Sequence, residues 1–125
     1  MSGAWLNYLA SGIVIVWGVS HIVPTAAVVK SFGDISADSR RIITMEWVAE
    51  GLALTFIGLL TLVVTLAAGL ADPVAVLVYR LSAGALIVFA VWTLIAGFRT
   101  AVVPIKLCPL VLSTAAALFV LATVV

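Results

Sequence analysis

Ile43–Ala68 reads ITMEWVAEGLALTFIGLLTLVVTLAA, with two carboxylates near its start and no charged residue after Glu50. A helix needs roughly 20 predominantly apolar residues to cross the hydrocarbon core of a bilayer. This stretch is long enough, and a core helix of a small soluble domain does not need such a run. It therefore sets the class of the protein as helical and integral to a membrane. It also poses the main functional question. Glu46 and Glu50 stand inside a segment where a mid-membrane charge costs about 2.5 kcal/mol or more on insertion scales.

Working outward, three more apolar stretches follow the same rule, at Trp5–Val23, Pro73–Gly97 and Leu107–Val125. Over the 125 residues, 66% are apolar and only 9% are charged, too few charges to coat a soluble domain. Little chain is left between the spans. The expected architecture is all-α, a single membrane domain over residues 1–125 forming an antiparallel bundle of four transmembrane helices. The first stretch is read as a span and not as a cleaved leader, because no Lys or Arg precedes it and it exceeds a usual leader core.

The connections set the expected orientation. Lys30, Arg40 and Arg41 lie between the first two spans, and Arg99 and Lys106 between the last two. The turn Gly69–Asp72 and both termini carry neither residue type. The positive-inside rule then puts both long connections in the cytoplasm and both termini outside, in a prokaryotic plasma membrane. Pro24 ends the first helix because it has no N–H to continue the ladder. Ala26–Phe32 is read as a short interfacial turn. Ser36 or Ser39 can cap the second helix, with Asp38 at its positive end. Asp72-Pro73 stops and restarts the chain tightly, and the fourth helix can begin at Pro104 or Pro109.

Within the first span, Asn7, Ser11, Val14, Gly18 and His21 recur at a spacing of four and three residues. Small and polar residues in that pattern face other helices and not lipid. Glu46 and Glu50 are four apart and share a face. By helical rise, His21 and both carboxylates reach a similar depth, so a His21–Glu50 or His21–Glu46 pair is geometrically reasonable. His and Glu can exchange protons near neutral pH, which suits proton handling or capture of a polar headgroup. The plainer alternative leaves Glu46 at the interface near Arg40 or Arg41 and Glu50 merely satisfying His21. His21, Glu46 and Glu50 are thus the candidates for catalysis. No metal is expected, since one His with two carboxylates lacks the second His of the usual facial triad.

Arg80 is expected to snorkel to the outer interface, or to pair with Asn7 or an anionic headgroup. Trp5, Tyr8 and Tyr79 read as an outer aromatic belt, and Trp47 and Phe98 as an inner one. Trp17 and Trp92 lie deeper and are candidates for lining a pocket. The candidate ligand-binding set is His21, Glu46, Glu50, Trp17, Trp47, Trp92, Asn7 and Arg80. Gly51, Thr55 and Gly58 form a small-residue strip suited to close helix packing. The single cysteine, Cys108, excludes an internal disulfide and a CxxC pair, counts against a thiol–disulfide enzyme, and is expected to be inert. The net charge of +1, with no phosphate-binding loop or basic stripe, gives no ground for a nucleic-acid partner.

Gly18, His21, Pro24, Phe32-Gly33-Asp34, Arg40-Arg41 and Glu50-Gly51 resemble the pattern of DoxX-like small four-helix membrane proteins over the first half of the chain. The resemblance implies a four-helix bundle and a link to membrane redox chemistry, with relatives serving as quinone- or thiol-related subunits; it transfers no catalytic residue. The functional expectation is a membrane protein that binds a lipid- or quinone-like ligand, or an accessory subunit of a membrane redox complex. Its partners would be the bilayer and either other membrane subunits or a second copy. Two alternatives stand beside it. One is acid–base isomerisation of an apolar substrate, by chemical similarity to sterol-isomerase-like four-helix proteins. The other is a small proton-coupled transporter, although such exporters carry a carboxylate in helix one and this chain has none there.

Overall fold

A computed structural model describes residues 3–125 and contains five helices: α1 (Ala4–Ile22), α2 (Thr25–Ser31), α3 (Ala37–Ala68), α4 (Pro73–Gly97) and α5 (Val103–Ala122). All except α2 are long and apolar enough to cross a membrane, and each buries a third or less of its most apolar stretch. The remaining faces carry exposed Leu and Val on every span. A surface of that kind suits hydrocarbon and not water. The protein is a membrane four-helix bundle with one short extra helix.

Local chemistry explains the boundaries. Pro24 has no N–H to extend α1, so the last carbonyls of that helix need other donors. Thr25 Oγ1 donates to Ile22 O at 2.7 Å, and Trp47 Nε1 reaches across from α3 to His21 O at 2.6 Å. The stretch read as a turn closes instead into α2. It ends where Gly33 takes φ +73°, which a side chain would resist. Ser36 is the cap of α3, its Oγ accepting from Ser39 N at 3.1 Å, with Asp38 in the first turn. The helix therefore starts at Ala37 and not near Ile43. Asp72 caps α4 by accepting from Val74 N and Ala75 N, with Pro73 following it. Of the two prolines, Pro104 lies at the start of α5, and Pro109 sits inside that helix.

Two hairpins make up the bundle. α1 packs on α3, α4 packs on α5, and the hairpins join through α1 and α5. The α1–α3 contact is close because it is built from the small-residue seam. A Cβ on Gly18 would lie 2.6 Å from Thr55 N, and one on Gly58 would lie 2.9 Å from Ser11 O. All five seam residues, Asn7, Ser11, Val14, Gly18 and His21, are buried. Nearer the chain termini, Asn7 Nδ2 donates to Thr65 Oγ1 at 3.0 Å, and Ser11 shares a 2.8 Å hydrogen bond with Thr61. Tyr79 is not part of an outer belt. It is fully buried, and its hydroxyl donates to Gly69 O at 3.2 Å.

Candidate functional site

The bundle is closely packed at the end that holds the termini and opens at the end that holds the basic connections. A cavity of about 620 Å³ lies there between α1, α3, α4 and α5, under the 98–102 connection. Its wall is mostly apolar and aromatic. Its polar groups include His21, Glu50, Thr93 and Cys108. Cavities of roughly 300–1,000 Å³ with a few convergent polar groups are typical small-molecule sites.

His21 is held on every side. Its Nδ1 lies 2.9 Å from Trp17 O. A carbonyl only accepts, so this contact places a proton on Nδ1 and leaves Nε2 to face the cavity. Trp47 stacks on the imidazole at 5.2 Å between centroids and 30° between planes, and Trp17 meets it edge-on at 5.8 Å. His21 Nε2 lies 3.7 Å from Glu50 Oε1, beyond direct hydrogen-bond range. Gly51 sets this level, because its missing side chain lets α3 approach His21 Cβ and Gly18 O.

The residues singled out from sequence separate into two groups. Trp17, His21, Trp47, Glu50 and Trp92 all line the cavity. Trp92 stands 66% exposed, which puts it at the mouth. Glu46, Asn7 and Arg80 do not line it. Glu46 is exposed one turn before Glu50 on α3. Asn7 belongs to the α1–α3 contact and bonds Thr65 instead of Arg80, and Arg80 is exposed.

Cys108, which the sequence marks as inert and outside the candidate set, lines the same cavity. It is buried, accepts from Trp17 Nε1 at 3.4 Å, and shares a cluster with His21 and Glu50 in which the ligand atoms all lie within 4.8 Å of one another. A signal for it does exist. Cys108, Leu112, Ala115, Phe119 and Ala122 recur at helical spacing and are all buried.

No family model, no curated protein and no solved structure matches this chain.

Proposed function

We propose that the protein binds a lipophilic molecule with a polar, oxygen-bearing head, of the lipid or quinol class, in the cavity at its basic end. It would act as a carrier or accessory component beside a membrane redox system, the role the DoxX-like resemblance implies. One observation carries the reading: an apolar, tryptophan-walled cavity in the membrane-spanning part has His21 Nε2 and the Glu50 carboxylate facing into it. In the tautomer with its proton on Nδ1 the imidazole would accept at Nε2, and a carboxylate accepts at both oxygens. The pair therefore suits a donor head such as a hydroxyl. The long apolar tail would leave past Trp92 between the hairpins. The basic end would face the cytoplasm, from the distribution of Lys and Arg. Cysteines placed at positions 34 and 101 in a Cys108-free protein should then resist labelling from outside, and labelling of position 34 would reverse the orientation.

Three of the four tryptophans line the cavity, so a bound quinone should quench their emission. Titration of the detergent-purified protein with a short-chain ubiquinol and ubiquinone is expected to show saturable quenching. Glu50→Gln keeps the shape and removes the charge, and should weaken quinol binding about tenfold, near 1.4 kcal/mol, without loss of helix content. Linear, unsaturable quenching by both forms in the native protein would reject the reading.

A further inference from the structure

The geometry points to a mononuclear metal site for a borderline divalent ion of the zinc, iron or cobalt type. His21 Nε2, a Glu50 carboxylate oxygen and Cys108 Sγ would be its three protein ligands, with an open position toward the cavity. The three groups come from three different helices, α1, α3 and α5, and their ligand atoms all lie within 4.8 Å of one another. Tetrahedral bonds of about 2.0–2.3 Å to N, O and S put ligand atoms about 3.5 Å apart. The His21–Glu50 separation of 3.7 Å is already close to that, and side-chain movements of about 1 Å close the rest.

The surroundings are those a metal ligand set requires. A ligating imidazole fixes its free nitrogen through a hydrogen bond from the other one to a carbonyl or carboxylate. Here Trp17 O performs that task at 2.9 Å and leaves Nε2 as the available lone pair. The indole N–H of the same tryptophan points at Cys108 Sγ, where it would stabilise a thiolate. One residue thus orients two ligands, and Trp47 stacked on the ring restrains its rotation.

Charge supports the same conclusion. Among the described residues no Lys or Arg pairs with Glu50; its one ionic neighbour is His21. A carboxylate and a thiolate with a neutral imidazole sum to two negative charges, which a divalent ion cancels. A neutral centre is the form that a low-dielectric span tolerates best. The donor set of nitrogen, oxygen and sulfur selects against Mg²⁺ and Ca²⁺, which prefer oxygen alone. Binding releases the thiol proton to solvent. The inference does not depend on a lipophilic ligand, because it uses only the polar end of the cavity.

The test is Co²⁺ titration of the chelator-treated, detergent-purified protein. Uptake should saturate at one ion per chain, with visible d–d bands and a near-ultraviolet thiolate-to-cobalt charge-transfer band, both displaced by Zn²⁺. Cys108→Ser should remove the charge-transfer band, and His21→Ala should weaken uptake at least tenfold. In the unaltered chain, one equivalent of Zn²⁺ should protect Cys108 from a thiol reagent, a readout that no variant's folding affects. Absence of the cobalt bands, or a charge-transfer band unchanged in Cys108→Ser, would overturn the site, as would full thiol reactivity with Zn²⁺ present. Quinol quenching measured in chelator separates this outcome from the proposed function.

Discussion

The two ends of the bundle are built from the same helices and differ in how the hairpins meet. At the end holding the termini, α1 and α5 approach so closely that a Cβ on Gly3 would lie 2.5 Å from Ala122 O. Tyr79, Ala115 and Phe119 are fully buried there, and the Asn7–Thr65 and Ser11–Thr61 hydrogen bonds that join α1 to α3 at this end use short side chains. At the other end α1 and α3 stay in contact through Gly18 and Gly51, Trp17 reaches Cys108 on α5, and α4 helps to wall the cavity left between them. Bulky tryptophans and an acid–base pair take the place of alanines and hydroxyls. Small residues let backbones close, and large aromatic residues hold them apart. One bundle thereby combines a closely packed half with a hollow half.

Three changes break or sharpen that comparison, in decreasing order of effect. The largest concerns the contact common to both halves. A side chain on Gly18 meets backbone at Thr55 N and Gly51 O, which cannot yield as a side-chain tip can. Gly18→Leu should therefore exceed the usual ~1–3 kcal/mol of overpacking and prevent folding or sharply lower Tm in detergent. Gly84 is exposed with open space around it, so Gly84→Ala should leave Tm equal or slightly raised. Similar melting of both variants would remove the assigned seam.

The second change compares the halves directly. Ala115 has no exposed surface in the closed half, and Ala96 borders the cavity in the open half. Ala115→Leu should cost about 1–3 kcal/mol. Ala96→Leu should leave thermal stability nearly unchanged and reduce quinol quenching. Equal destabilisation would mean that the basic end is as tightly packed as the other.

The smallest effect concerns Asn7. Its Nδ2 is bonded to Thr65, but its Oδ1 is buried with no partner among the described residues. Removing the amide loses a hydrogen bond worth about 1 kcal/mol and also relieves an unmet acceptor. Asn7→Ala should therefore shift Tm by only a few degrees and leave quinol quenching unchanged. A large loss of quenching would tie Asn7 to the site after all.

The sequence by itself determined the class, the number of spans and the inward face of the first helix. Span length follows from bilayer thickness, and a stripe of Asn, Ser, Gly and His stands out against an apolar background. It also singled out His21 and Glu50, because ionisable groups inside a span are costly enough to be conspicuous. Only the tertiary structure decided which carboxylate faces the cavity. Glu46 and Glu50 share a helix face, and their separation into an exposed group and a cavity group depends on where α1 stops at Pro24. It also decided the place of Cys108, Trp47 and Tyr79. In a membrane helix both the lipid-facing and the protein-facing sides are apolar, so hydropathy gives almost no rotational signal. Which way a cysteine or an aromatic residue turns is fixed by the packing of neighbouring helices.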